Sequence, residues 1–117
     1  MNAAVKEKWL AALESGDYPQ GKFALKEAQN GVVSYCCLGV LCEVAVAEGV
    51  ISEAAPREDS PTYIFNGSTA YLPTKVMEWA GLTSHAGDLE EENVCLTRLN
   101  DNGVPFAEIA EVIREKF

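Results

Sequence analysis

The sequence predicts an α+β fold: a small single domain of short, mainly antiparallel strands and hairpins packed against about four helices. Three observations predict it. The chain has 117 residues, 48% of them apolar, which suits one core over residues 1–117 and is too short for two. Apolar residues recur at helical spacing in several segments. Between these segments, two Asn-Gly pairs separate short runs of alternating polarity, as is typical of hairpins.

The first half of the chain predicts a helix, a hairpin and a second helix. Asn2 can cap a helix over residues 3–15, and Gly16 ends it. The segments FALKEA and VVSYC are interpreted as strands on either side of Asn30–Gly31. Residues 37–47 are apolar nearly all round, so we expect this helix in the middle of the fold. The apolar stripe of the first helix consists of Val5, Trp9, Ala12 and Leu13.

The next part of the chain predicts a loop, a hairpin and a third helix. Residues 51–61, ISEAAPREDSP, have the charges and prolines of an exposed, mobile loop. The segments TYIF and TAYL alternate into a second hairpin around Asn66–Gly67. Pro73 then sets the first turn of a helix, TKVMEWAGL, which Gly81 closes.

The carboxyl-terminal part predicts one more strand and the last helix. The acidic segment DLEEEN at residues 88–93 is expected to be a solvated connection. VCLTRL alternates as a strand, and NDNG is expected to turn the chain into a helix that begins at Pro105. The apolar stripe of that helix consists of Phe106, Ile109, Ala110, Ile113 and Phe117.

Three of the four cysteines lie in YCCLGVLC, where they could bind metal, oxidise or pack. On a helix, Cys37 and Cys42 point about 140° apart, which is poor geometry for chelation. A reducing cytosol keeps thiols free. A nucleophilic cysteine needs a nearby base, and the only histidine, His85, lies in a loop-like segment. We therefore expect the cysteines to pack as small apolar side chains, with no metal and no cofactor.

The longest strongly apolar run, residues 36–47, contains Glu43 and falls short of the roughly 20 residues that cross a bilayer. The amino terminus lacks the basic, then apolar, then small-residue order of a signal peptide. We therefore expect a cytoplasmic protein with no membrane partner.

Four motifs carry a resemblance to a known family. They are SGDYPQGKFALK, YCCLGVLCEVA, YLPTKVMEWAGL and LTRLNDNGVPFAEIAEVI. Together they resemble a family of small bacteriophage and prophage proteins of unknown activity, over nearly the whole chain. The resemblance implies a phage origin and a place in the host-cell cytoplasm, and it transfers no catalytic residues. One position departs from the expected pattern, because Pro105 stands where a serine or threonine would cap the last helix.

Two groups of polar residues are candidates for ligand binding. The first lies where the loop after the first helix enters a strand, and alternation would place Lys22 and Lys26 on one strand face. An ordinary solvated strand face explains the lysines as well. The second lies in NDNG, where a turn into a helix also explains the Asn and Asp residues. The candidate set is Tyr18, Gln20, Lys22, Lys26, Tyr35, Arg98, Asn100, Asp101 and Asn102.

The net charge of −9, from 9 basic and 18 acidic residues, disfavours direct binding of nucleic acid. A basic surface of a host protein is a better partner, although solubility alone also explains the acids. A small nucleotide-like ligand would use Lys22, Lys26 and Arg98 for its phosphates. Tyr18 and Tyr35 would contact its base.

Three functions are compatible with these features. We favour a non-enzymatic phage accessory protein that counters a host function or defence, by inhibiting a host protein or by sequestering a nucleotide-like signal. The first alternative is a small nucleotide hydrolase that uses Asp101, although the sequence shows no phosphate loop, nucleophile elbow or zinc helix. The second is a structural or self-associating protein, for which a homodimer is the default arrangement.

Overall fold

A computed structural model describes residues 1–117 and confirms the α+β class. The helices are α1 (Ala3–Glu14), α2 (Cys37–Ala47), α3 (Thr74–Ala80), α4 (Leu96–Asp101) and α5 (Phe106–Lys116). The strands are β1 (Lys26–Gln29), β2 (Val32–Tyr35), β3 (Ala55–Arg57), β4 (Ser60–Ile64), β5 (Asp88–Leu89) and β6 (Val94–Cys95). The first four strands form an antiparallel sheet in the order β2-β1-β4-β3, and β5 pairs with β6.

The first two helices form where the sequence predicts them. The side chain of Asn2 accepts a hydrogen bond of 3.0 Å from the Val5 N–H and so caps α1. Helix α2 contacts α1, α3, α4 and β2 and therefore lies in the middle of the fold, as expected. Trp9 of α1 is fully buried, and its indole N–H donates to the carbonyl oxygen of Cys37 at 3.0 Å. This bond fixes α1 against the start of the central helix.

Gly39 allows α2 to lie directly against the chain that leads into β1. A Cβ atom at this position would overlap the carbonyl oxygen of Leu25. That oxygen also accepts a hydrogen bond of 3.3 Å from the Cys36 N–H. The glycine is needed here for close approach between two backbones.

The first hairpin turns at Asn30–Gly31, as predicted, with φ of 52° and 80° at the two residues. Two left-handed residues match the two-residue turn that fits the twist of paired strands. The first strand is shorter than expected, because β1 begins only at Lys26 and Phe23 has a left-handed φ of 69°. The expectation that Lys22 and Lys26 share a strand face is therefore wrong.

The second hairpin is displaced from its predicted position. Strand β4 pairs with β1 on one side and with β3 on the other. Strand β3 lies inside residues 51–61, which the sequence suggested were loop. Across Asn66–Gly67 there is only an isolated bridge, between Phe65 and Ser68. Pro56 and the surrounding charges are typical of a loop, so the sequence did not indicate β3. A strand at the edge of a sheet can nevertheless contain proline, because its missing N–H is not needed there.

The predicted strand VCLTRL is mostly helix. Only Val94–Cys95 pair with β5, and α4 starts at Leu96. Leu96 and Asn100 are both fully buried and lie four residues apart, which is the spacing of a helix face. The expected NDNG turn is likewise shifted: Asn100 and Asp101 belong to α4, and the chain leaves the helix at residues 102–103. The acidic segment at residues 88–93 contains β5 and a 3-10 turn over Glu90–Glu92.

The remaining helices follow prolines. Pro73 and Pro105 each stand immediately before the first helical residue, of α3 and α5 respectively. Helix α5 packs along α1. It buries Phe106, Ile109, Ala110 and Ile113, and Phe117 is partly buried. None of the helices combines the length and apolar character needed to cross a bilayer.

Candidate functional site

A buried polar network ties together three segments that are distant in the sequence. Asn100 of α4 is fully buried. Its Oδ1 accepts hydrogen bonds from the Cys37 N–H at 3.1 Å and from Nε2 of Gln20 at 3.0 Å. Its Nδ2 donates to the carbonyl oxygen of Gly21 at 2.9 Å. Because a buried amide must keep its partners, Asn100 fixes the loop after α1 against the start of α2.

Gln20 extends the network to the start of α5. Its Oε1 accepts a hydrogen bond of 3.1 Å from the N–H of Phe106, the first residue of that helix. Its Nε2 also donates to the carbonyl oxygen of Val104 at 2.8 Å. Pro105 has no side chain that can cap, so the amide of Gln20 satisfies a helical N–H that a serine or threonine would otherwise serve. The departure at Pro105 is thus compensated from another part of the chain.

Asp101 holds the backbone of Phe23 in an unusual conformation. Its Oδ1 accepts hydrogen bonds from the Phe23 N–H at 2.9 Å and from Nδ2 of Asn100 at 3.4 Å. Phe23 has a φ of 69° and is 72% exposed. The left-handed conformation costs an L-residue about 1–2 kcal/mol and is uncommon for a bulky one. The carboxylate therefore stabilises a conformation in which a large aromatic side chain faces solvent.

One exposed cation, Lys22, adjoins Phe23, and a second, Arg98, is exposed on the same helix as Asp101. Lys22 precedes Phe23, and its ammonium lies 3.7 Å from the point where a Cβ of Gly103 would stand, just beyond α4. Arg98 lies one turn before Asp101 on α4 and roughly opposite the buried Asn100, so it projects outward. Neither cation forms an ion pair. We call the set of Lys22, Phe23, Asp101 and Asn102 the Phe23 surface.

Lys26 and the predicted tyrosines form a separate cluster on the sheet. The ammonium of Lys26 lies 5.5 Å from the ring centre of Tyr35 and 4.7 Å from that of Tyr63. It also pairs with the carboxylate of Glu43 at 3.4 Å, to which the Tyr35 hydroxyl donates at 3.1 Å. Tyr18 packs edge-on against Tyr35, with ring centres 5.2 Å apart. Burial, reinforced by Glu43, raises the pKa of Tyr35 above its ordinary value, so this hydroxyl remains a donor. Within the cluster, the positive charge of Lys26 is paired with the carboxylate of Glu43.

The cysteines pack as expected. Cys36, Cys37 and Cys42 are buried in the core formed around α2. Burial raises the pKa of the Cys36 thiol to about 11 and holds the pKa values of Cys37 and Cys42 well above the usual range. A thiol that stays protonated is a poor nucleophile. The cysteine-rich stretch is therefore explained by packing.

A sizeable concavity lies away from both groups. It is a groove of about 1000 Å³ beside His85, whose Nε2 lies 3.0 Å from the hydroxyl oxygen of Thr74. At its edge, Lys116 pairs with Glu92 at 3.2 Å. The carboxylates in its lining belong to Asp88, Glu90, Glu91 and Glu92. These charges repel phosphate, so the groove does not suit a nucleotide-like ligand.

The structure separates the nine predicted residues into three groups. Gln20 and Asn100 form the buried network. Tyr18, Lys26 and Tyr35 belong to the sheet cluster, together with Glu43 and Tyr63, which the sequence analysis did not select. Lys22, Asp101 and Asn102 lie around Phe23, and Arg98 is exposed one turn before Asp101 on α4. Phe23 itself was missed because FALKEA was interpreted as a strand and nothing local marks a phenylalanine as left-handed.

The comparison with protein families gives a match over the whole chain. The model described as Domain of unknown function (DUF8296) matches residues 1–117. The chain belongs to this family. No curated protein and no solved structure matches the chain. Membership therefore assigns no chemistry, and the Phe23 surface must be judged on its own geometry.

Proposed function

We propose that this domain is a phage-encoded accessory protein that binds a host protein and thereby counters a host function or defence. The observation that carries the proposal is Phe23, an aromatic side chain 72% exposed on a left-handed residue held by Asp101. The phage origin is supported by the motifs quoted above, and the binding role by the physical properties of this residue.

Phe23 has the features of a binding anchor. Backbone strain persists where the surrounding structure imposes it, and such residues cluster at functional sites. Here the imposing group is Asp101, which adjoins the buried Asn100 on the same helix. An aromatic side chain on a fixed backbone loses little further freedom when a partner covers it. A few aromatic and arginine side chains commonly supply most of the affinity at an interface.

A protein partner suits this surface better than a nucleotide does. Of the side chains that could have held a nucleotide, Lys26 and Tyr35 are engaged with Glu43 inside the sheet cluster. The groove beside His85 is lined by carboxylates. Asp101, which a hydrolase would need, already accepts hydrogen bonds from Phe23 and Asn100. The exposed Phe23 with the neighbouring Lys22 is left as the available surface.

The test compares the host proteins that co-purify, from a lysate of the host bacterium, with wild type and with two variants. The variants are Phe23→Ser and Val32→Ser. Val32 is a matched control, because it is also apolar and 60% exposed but lies at the turn of the first hairpin. We expect a host protein that is retained by wild type and Val32→Ser and is lost with Phe23→Ser.

Two outcomes would contradict the proposal. A host protein retained equally by all three variants would place the binding surface elsewhere. A small adduct on the wild-type protein in native mass spectrometry, lost with Phe23→Ser, would favour a sequestered metabolite over a protein. Circular dichroism of Phe23→Ser, matching wild type, excludes misfolding as the cause of a loss.

A further inference from the structure

We infer that the groove beside His85 is a second binding surface, and that it takes a lysine- or arginine-bearing segment of a partner protein. The groove shares no residue with the Phe23 surface, so this inference goes beyond the proposed function. It gives the acidic character of the chain, whose net charge is −9, a defined place on the domain.

The first argument concerns the shape of the groove. Its volume is about 1000 Å³, at the upper end of the range of about 300–1,000 Å³ that is typical of ligand pockets. A smaller concavity of about 170 Å³ adjoins it and shares Thr83, Ser84, Asp88, Leu89 and Lys116 with it. Together the two form a longer trough, which has room for an extended stretch of several residues.

The second argument concerns the lining, which is mainly polar. Pockets for small molecules are lined mainly by apolar and aromatic side chains, with only a few polar groups. Here only 3 of the 11 lining residues are hydrophobic. An open, polar groove therefore suits a charged segment of a protein better than a small apolar ligand.

The third argument concerns charge. The groove carries four carboxylates and one ammonium group, that of Lys116, so its net charge is −3 with the imidazole neutral. Lys116 pairs with Glu92, and no other basic residue of the chain forms an ion pair with Asp88, Glu90 or Glu91. Clefts lined by charges of one sign concentrate the electric field and attract ligands of the opposite charge. The occupant that complements these carboxylates is therefore cationic.

The fourth argument concerns the kind of cation. Tyr71, on the wall of the groove, is 54% exposed, and its ring contacts no other aromatic ring and no cation of the chain. A lysine or arginine side chain can lie over the face of such a ring while its charge meets the carboxylates. No group of three or more His, Cys, Asp or Glu side chains is placed to hold a metal ion. The groove is thus built for cationic side chains.

The experiment measures the binding of a synthetic peptide in which lysine alternates with glycine, by fluorescence anisotropy at low and at high salt. A peptide with glutamate in place of lysine is the control for the ligand. The groove variant combines Glu90→Gln and Glu91→Gln. Its matched control combines Glu53→Gln and Glu108→Gln, which removes the same charge at two exposed, unpaired glutamates outside the groove. Tyr71→Leu and Tyr71→Phe test the ring.

We expect wild type to bind the lysine peptide and not the glutamate peptide, and to bind it more weakly at high salt, because exposed charges are screened. The groove variant should bind about tenfold more weakly than wild type. Tyr71→Leu should weaken binding about two- to fivefold, whereas Tyr71→Phe should not. Absence of binding, or equal weakening by the groove variant and its matched control, would overturn the inference. Tighter binding of spermidine than of the peptide would assign the groove to a small polycation and overturn it as well.

Phe23→Ser separates this inference from the proposed function. The variant should bind the lysine peptide as tightly as wild type, because the groove and the Phe23 surface share no residue. Loss of the peptide with Phe23→Ser would place the cation site at the Phe23 surface and contradict the inference. The proposed function depends instead on the host protein that Phe23→Ser releases, so a failure of the groove leaves it standing.

Discussion

Replacement of Asn100 by alanine tests whether the buried network holds the platform for Phe23. The substitution removes Oδ1, which accepts from the Cys37 N–H, and Nδ2, which donates to the Gly21 carbonyl. Cys37 is fully buried and is the first residue of α2, so its N–H has no partner within the helix. Water cannot readily take the place of the lost amide there.

The expected magnitude follows from the groups left unsatisfied. A buried donor or acceptor without a partner costs about 1–3 kcal/mol. The Cys37 N–H should contribute near the upper end, and the half-buried Gly21 carbonyl near the lower end. We therefore expect Asn100→Ala to lower the free energy of unfolding by about 2–4 kcal/mol, a large part of the 5–15 kcal/mol typical of a domain.

Urea denaturation followed by circular dichroism measures this difference. The matched control is Asn102→Ala, because Asn102 is the exposed residue that ends the same helix. Its substitution should change the free energy of unfolding by no more than about 0.5 kcal/mol. If Asn100→Ala also stays within about 1 kcal/mol of wild type, the buried hydrogen bonds of Asn100 do not stabilise the fold.

Three further predictions concern single residues. Phe23→Asn should keep the free energy of unfolding within about 1 kcal/mol of wild type, because Asn tolerates a left-handed φ. Phe65→Ala, in the core, should lower it by about 3–5 kcal/mol. Equal losses for the two variants in urea denaturation would refute this prediction. Gly39→Ala should destabilise by about 1–3 kcal/mol or more, because its methyl group meets the Leu25 carbonyl, and an unchanged urea midpoint would contradict the close approach. Because the pKa of Tyr35 is raised in the folded state, the unfolded chain releases this proton first as the pH rises past 10.0, and stability should fall above that pH. Tyr35→Phe should reduce that fall in urea melts at alkaline pH, and an identical fall in both proteins would count against the burial of this hydroxyl.

Local sequence patterns predicted the helices that have a capping residue, an apolar stripe or a proline before their first residue. Helix α1 has Asn2 as its cap, and α5 has an apolar stripe on one face and a proline before its first residue. The turn at Asn30–Gly31 was predictable for the same reason, since both residue types tolerate a positive φ. In these places the information lies within a few residues of the structure it determines.

The rest depends on contacts between distant residues. The side-chain amide of Gln20 accepts a hydrogen bond from Phe106, at the start of α5, which lies 86 positions away in the sequence. No local sequence pattern indicates such a bond. Helix α4 is too short for its period to be separated from strand alternation. The conformation of Phe23 is imposed by Asp101, 78 positions away, so the exposed aromatic could be found only in the folded structure. The polar candidates could therefore be selected from the sequence, but the contacts that each of them makes could not be predicted.

The affinity of the complex between this domain and the host protein that it retains tests the central claim most directly. Dissociation constants would be measured by calorimetry for wild type and for Phe23→Ser. If Phe23 is the anchor, its loss should weaken binding by about thirtyfold or more, in keeping with a residue that dominates an interface. Equal dissociation constants for the two proteins would contradict the account.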